Sequence, residues 1–270
     1  MGKARIDEER SGFDKWEMYK LLRGENLGPC RLPNTARLSA SNLRTFLNRY
    51  HRVYVKPTGT WGGSNISVME QRGKSMVWVT QERSSIKATV AQVLKHYSGV
   101  PAIVQEAIPA VSYSGYPCDI RVHMQRDIDG NWVYAGELVR VGGQGIVSNV
   151  GISHGQVLPF EAAVPRLLSV STYEIGVLKQ KLVEIGTRIS SLFDDYSQID
   201  EVGIDLAMDA KRQFWLIEVN TNDALGGPSH ELFRQLPDQT MYNQMQKRAS
   251  SRTMDVLQFF FDALSSEQTE

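Results

Sequence analysis

Apolar residues recur at every second position in several short runs of this chain and at helical spacing in others, and the two periods predict its elements in order. Helical spacing covers 13–23, where Phe13, Trp16, Tyr19 and Leu21 build an apolar side and Lys15 and Lys20 lie elsewhere on the surface. Residues 24–35 hold two prolines and two glycines and read as loop, after which Ser39 or Ser41 caps a helix reaching Tyr50. A strand over 52–57 carries Lys56 at its end and stops at a proline. The glycine-rich turn TGTWGGSN (58–65) follows, then strands over 66–69 and 75–80, a helix over 86–96 and a buried strand over 102–105. A loop with two prolines leads into a hairpin of 119–125 and 131–141 folded about 127–130. A glycine-rich region over 142–156 precedes a helix over 171–193. A second hairpin, EVGIDLAMDAKRQFWLIEVNTN (201–222), turns at 209–212. Gly226-Gly227-Pro228-Ser229 opens a helix, and 238–264 forms a long closing helix in which Met241, Met245 and the late phenylalanines pack as core.

Chemistry concentrates on the second hairpin. Under the two-residue period Phe214, Leu216, Glu218 and Asn220 share one strand face, and Trp215, Ile217 and Val219 the other. Asp205 joins Glu218 and Asn220 if the turn is two residues (211–212) or four (210–213); an odd loop without a bulge turns it away. Two carboxylates and an amide oxygen suit magnesium, whereas zinc prefers His and Cys. The bland alternative is a half-buried hairpin whose acids face solvent. Against it stands the apolar neighbourhood of Leu216, Ile217 and Val219, where an unpaired carboxylate is costly.

Other groups are individually weaker. Lys56 followed by a glycine-rich hairpin can bring an ammonium and backbone N–H groups onto a triphosphate, although no Walker GK[ST] is present and, taken alone, an ordinary hairpin loop is the better reading. Trp61 at the loop tip either covers a ligand or docks on the opposite lobe. Lys15 alone reads as a solvated helix lysine. Asp119, Arg121 and His123 share a strand face with Arg140 beside them, either a cross-strand ion ladder or a phosphate grip. His123 and His154 read as hydrogen-bonded structural histidines, since no second ligand lies at helix or strand spacing from either. The N-terminus of the helix opened at Ser229 can hold an anion.

Composition narrows the partners. The 270 residues, 41% of them hydrophobic, suffice for one large domain or two lobes. Thirty basic and thirty acidic side chains cancel, which removes any global electrostatic case for nucleic acid or an anionic membrane. Cys30 and Cys118 form neither a metal cluster nor a disulfide framework, and no signal peptide or membrane span is legible, so the expected location is the cytoplasm.

The ordered set FDKWEMYKLL (13–22), LPNT (32–35), VYVKPTGTWGGSNI (53–66), IVQEAI (103–108), CDIRVHMQ (118–125), GELVRVGG (136–143), VSNVG (147–151), GIDLAMD (203–209) and FWLIEVN (214–220) resembles the ATP-grasp superfamily, and within it the endospore-coat-associated YheC/YheD family. The resemblance implies an α+β, ATP-grasp fold in which two α+β lobes, 12–106 and 107–265, enclose a nucleotide. It implies ATP with Lys15 and Lys56 on its phosphates and a mobile loop containing Gly59, Gly62, Gly63 and Ser64 over them. Gln105, Glu106, Ala107 and Ile108 would face adenine and Asp119 the ribose. Arg121, Arg140 and Asn149 would serve the phosphates or an acyl-phosphate, and Asp205, Glu218 and Asn220 would hold Mg2+. The implied reaction joins a small-molecule or peptide carboxylate to an amine through an acyl-phosphate; the rivals are an ATP-grasp kinase and an ATP-binding coat or assembly protein with little turnover. Because the first motif starts near residue 13, the usual preceding domain is expected to be absent, with substrate recognition left to a partner protein or to 222–240. A spore-associated location is the resemblance's addition to the cytoplasmic expectation.

Overall fold

The computed structural model describes residues 13–60, 62–73, 75–81, 84–143, 145–196, 199–221 and 229–267. Trp61, the stretch 222–228 with its Gly226-Gly227-Pro228, the side chains of the late phenylalanines 259–261 and residues 1–11 lie outside that description. The elements run α1 (Lys15–Leu22), β1 (Cys30–Arg31), β2 (Thr35–Arg37), α2 (Ala40–Tyr50), β3 (Arg52–Pro57), β4 (Ser67–Arg72), β5 (Ser75–Val79), β6 (Ser85–Lys87), α3 (Val90–His96) and β7 (Ala102–Glu106). They continue as β8 (Ser112–Tyr113), β9 (Tyr116–Arg126), β10 (Trp132–Val141), α4 (Val150–Ser153), β11 (Gln156–Pro159), α5 (Phe160–Leu168), α6 (Thr172–Ser191), β12 (Glu201–Met208) and β13 (Phe214–Asn220). A 3-10 segment (Ser229–Gln235) and α7 (Thr240–Glu267) complete the chain.

Two sheets organise these elements. The six-stranded sheet has the order β2-β7-β3-β4-β5-β6; the seven-stranded sheet runs β1-β13-β12-β9-β10-β11, with β8 on β9. Local chemistry sets the helix starts. Asp14 accepts from the N–H groups of Trp16 and Glu17 at α1, Ser39 caps α2, and Thr89/Gln92 and Ser171/Glu174 form reciprocal capping boxes at α3 and α6.

The core of the smaller sheet joins Leu43, Leu47, Val53, Val55, Met69, Val93 and Val104. On the larger sheet Leu178, Leu182, Ile185 and Ile189, spaced along one face of α6, pack on Val122, Met124 and Val139. Burying each such side chain contributes about 1.5–3 kcal/mol. Phe13, Met18, Leu22 and Leu27 belong to this second core, so α1 leans on the larger sheet. Among the described residues no helix is long and apolar enough to cross a membrane.

Several expectations are corrected. The buried side of α1 is Met18 and Leu22, with Phe13 just ahead of the helix; Trp16 and Tyr19 stay half-buried and stack on each other at 5.6 Å. The reason is the docking of Phe13 on Phe193 and Tyr196, which rotates the helix. The expected helix start at 86 is instead the edge strand β6, and α3 begins only at Val90 behind its Thr89 cap. The expected loop 24–35 includes β1, and the glycine-rich region includes α4.

The β12–β13 connection takes neither even length. Met208 pairs with Phe214 across the five residues 209–213, with Arg212 in the left-handed region at φ 63°. The ladder then shifts: Leu206 faces Leu216 but Asp205 faces Glu218, leaving Ile217 as an extra residue. The bulge returns Asp205 to Glu218 despite the odd loop. It also breaks the expected face assignment, because Phe214 and Leu216 are buried together with Val219, while Ile217, Glu218 and Asn220 line a cavity.

Candidate nucleotide and metal site

A cavity of about 890 Å³ lies between the sheets, lined by β3, β4 and β7 on one side and by β9, β10, β12 and β13 on the other. Its volume is in the range of small-molecule and cofactor sites. Gly63, at φ +87°, sits where an added Cβ would lie 2.9 Å from Val147 Cγ2, so the glycine-rich loop packs directly against the 145–149 loop. Gln81, after β5, accepts from the Ile146 N–H. Loops from both sheets therefore meet over the cavity.

Of the residues expected in a site, Lys15, Lys56, Gly62, Gly63, Gln105, Glu106, Ile108, Asp119, Arg121, Arg140, Asn149, Asp205, Glu218 and Asn220 line this one cavity. Gly59, Ser64 and Ala107 are not among the lining residues; Ala107 turns its N–H to the Arg52 carbonyl instead. Ser64 offers its carbonyl to Thr60 Oγ1 and helps to hold the loop's shape.

Lys15 is not the solvated helix lysine that its sequence position suggests. Its ammonium pairs with Glu218 at 3.2 Å and donates to the Thr60 carbonyl, and its side chain is 9% exposed. Its own N–H reaches the Thr58 carbonyl at 3.1 Å, which ties α1 to the glycine-rich loop. Lys56 donates to Gln105 Oε1 at 2.6 Å, and Gln105 Nε2 in turn donates to Thr35 Oγ1. Burial lowers the Lys56 pKa from 10.5 to about 8, with Lys15 adding to the effect and Glu218 opposing it. Glu106 accepts from Asn34 Nδ2 at 2.8 Å.

On the larger sheet Arg140 and Asp119 are directly cross-strand, as are Arg121 and Asp205. Arg140 grips Asp119 through two bonds of 2.7 Å and reaches Asp205 at 2.7 Å, while Arg121 Nε meets Asp205 at 2.5 Å. Ser148 donates to Asp119, and Asn220 donates its amide to Asp205 at 3.1 Å. Burial pushes both carboxyls up. At Asp205 the two guanidiniums outweigh it and the pKa lies below the ordinary range; Asp119, with the neighbouring Asp205 charge against it, stays above that range. The same two carboxylates hold the Arg140 pKa up despite its burial.

The expected metal ligands thus differ in availability. Asp205 is engaged by two arginines, whereas Glu218 is about a quarter exposed to the cavity, and Asn220 uses its amide hydrogens on Asp205 and Gly203 and retains its carbonyl oxygen. Three oxygen donors of this kind fit a hard divalent cation such as magnesium. Sequence reasoning overlooked Ser148, although VSNVG had been singled out, and overlooked Arg52, Glu70, Arg72 and Glu231, which also line the cavity and carry no local signature; Ser229, read as a helix start able to hold an anion, lines it too and gives its N–H to the Glu201 carboxylate.

A family model described as YheC/D-like ATP-grasp matches residues 7–252. Among curated proteins the chain is 22% identical over 230 residues to endospore coat-associated protein YheD of Bacillus subtilis (strain 168), covering 81% of this chain and 50% of that protein. It is 23% identical over 228 residues to endospore coat-associated protein YheC of the same strain, covering 77% and 59%. The chain spans about half the length of the curated relatives it matches. Among solved structures it is similar to the ADP complex of purK, N5-carboxyaminoimidazole ribonucleotide synthetase, with a TM-score of 0.49 and 11% identity over 79% of this chain and 49% of that one.

Proposed function

The chain belongs to the YheC/D-like ATP-grasp family, and from that membership we propose that its cavity takes ATP with magnesium and that the protein is a carboxylate–amine ligase working through an acyl-phosphate. The observation that carries this reading is the convergence of Lys15, Lys56, Arg121 and Arg140 with Asp205, Glu218 and Asn220 in one enclosed space. Four cations on rigid strands and a helix start suit a polyphosphate, and they are held by the protein, Lys15, Arg121 and Arg140 by carboxylates and Lys56 by the Gln105 amide oxygen. Asp205, Glu218 and Asn220 would hold the magnesium, which supplies a counter-charge to the polyphosphate when bound. Arg121 and Arg140 neutralise charge at a transferring phosphoryl group, and the loop carrying Gly62 and Gly63 excludes water from it. Substrates in this reading are a small-molecule or peptide carboxylate and an amine.

A second reading follows from the curated relatives' description as endospore coat-associated: an ATP-binding assembly component with little turnover, placed at the spore surface. Calorimetry with a non-hydrolysable ATP analogue, with and without magnesium, followed by ADP release over a panel of carboxylates and amines, separates the two. Amide product with ADP and phosphate supports the ligase; a stable phosphorylated alcohol indicates a kinase; tight binding without turnover supports the assembly role. Absence of nucleotide binding in both conditions overturns both readings.

Lys56 supplies a prediction with two opposite signs. Its folded pKa is depressed to about 8 from 10.5, so between these values the unfolded chain binds more protons and the free protein gains stability as pH rises. Nucleotide affinity moves the other way, weakening above pH about 8 as the ammonium is lost. Lys56→Met should lower affinity by about 1.5–3 kcal/mol at pH 7 and remove the pH trend. Calorimetry at pH 7 and 9 in buffers of different ionisation enthalpy reads both effects. A flat profile in the parent protein would show that Lys56 does not meet the phosphates.

A further inference from the structure

We propose that His123, Glu201 and His230 form a binding site for a divalent transition metal of the zinc class, distinct from the cavity's oxygen-donor site and independent of the nucleotide reading. The residues come from β9, β12 and the 3-10 segment, and one donor atom from each lies within 4.8 Å of the others. His230 Nδ1 is 2.7 Å from Glu201 Oε2, and His123 Nε2 is 3.3 Å from the same oxygen. Two imidazole nitrogens and a carboxylate oxygen are the donor set that zinc prefers, unlike the all-oxygen set around Glu218.

A second observation points the same way. His123 is fully buried, and its Nε2, 3.3 Å from Glu201 Oε2, forms no well-aligned hydrogen bond among the described residues. Buried polar atoms are rarely left so, because the desolvation goes uncompensated. The flanking groups are arranged as supports for ligands. Ser229 Oγ lies 3.4 Å from His123 Nδ1; an Nδ1–H directed at this hydroxyl leaves Nε2 as the lone-pair nitrogen. The Ser229 N–H donates to the other oxygen of Glu201 and fixes its carboxylate plane. Tetrahedral bonds of about 2.0–2.2 Å separate donor atoms by roughly 3.3–3.6 Å, so the His123–Glu201 pair at 3.3 Å already fits and the His230–Glu201 pair at 2.7 Å needs to open by less than about 1 Å.

The metal's consequence is positional. Ser229, Glu231, Leu232 and Gln235 line the nucleotide cavity, and a cation joining His230 to β9 and β12 pins their segment to the sheet. This expectation replaces the reading of His123 as purely structural. It was illegible in sequence because the ligands are distant along the chain and meet only through the β9–β12 pairing of Gly203 with His123 and Glu201 with Gln125.

The test is cobalt and zinc loading of the intact protein after chelator treatment and gel filtration. The expected result is one zinc retained per chain, a higher thermal midpoint with zinc than with chelator, and a cobalt visible spectrum of tetrahedral nitrogen ligation. His230→Gln should weaken zinc by about tenfold or more and lose that spectrum, while Glu218→Gln keeps it. Should His230→Gln be misfolded, Glu201→Gln with a circular dichroism check serves the same end. Failure of the parent protein to retain zinc, or an unchanged cobalt spectrum in a folded His230→Gln, overturns the proposal.

Discussion

Replacing Arg140 with methionine is expected to destabilise the protein by about 3–5 kcal/mol, the loss typical when one partner of a buried ion pair is removed. Arg140 is the only group that joins both buried aspartates among the described contacts, through 2.7 Å bonds to Asp119 and Asp205. Asp205 would keep Arg121 and Asn220, but of the described contacts of Asp119 only that with Ser148 would remain. Burial already holds the Asp119 pKa above the ordinary carboxyl range, and loss of the guanidinium raises it further. A carboxyl whose folded pKa is raised contributes stability below its unfolded pKa and loses it as pH rises through the folded one. The deficit of Arg140→Met should therefore shrink on acidification from pH 8 to pH 5. Adding Asp119→Asn should recover part of it, since a neutral amide is less costly to bury unpaired. Urea denaturation at both pH values measures this, and a loss below about 1 kcal/mol would mean that the pairs behave as solvated surface bridges.

Glu218→Gln should leave stability within about 1 kcal/mol of the parent, yet reduce magnesium-dependent nucleotide affinity by about 100-fold or more, since even groups one shell outside a metal alter its affinity 10–100-fold. The side chain is 24% exposed, and its partner Lys15 retains the Thr60 carbonyl. Calorimetry with an ATP analogue at varied magnesium separates the two effects. Unchanged magnesium dependence would remove Glu218 from the metal site and leave its pairing with Lys15 as its role.

Strands β3, β4, β5, β7, β9, β10, β12 and β13 were legible because each is long enough to show a period or a buried run, and α2 and α6 because serine caps mark their starts. β1 has two residues and exists only as a parallel partner of β13, so no pattern can announce it. α5 starts behind Pro159 and contains Pro165, residues that ordinarily mark breaks. In the candidate site, residue types and rough positions were readable where a strand delivers them. Partners were not. The pairing of Lys15 with Glu218, the sharing of Arg140 by two aspartates and the meeting of His123 with Glu201 and His230 all arise from elements brought together by the sheets. The length of the 209–213 loop compounded this, because the bulge that compensates for it has no signature of its own.

That bulge can be restated as an insertion and its reversal. Without Ile217, Leu216 would adjoin Glu218 in the chain, and the ladder from Met208–Phe214 to Gly203–Asn220 would run unbroken with every other pair retained. Phe214, Leu216 and Val219 would then alternate with Trp215, Glu218 and Asn220 in strict period, as an idealised strand would have them. Ile217 is thus a residue the hairpin can lose without losing its register, and its side chain reaches the cavity wall. A one-codon deletion there would leave the pairing of Asp205 with Glu218 in place and take one apolar side chain from the cavity wall.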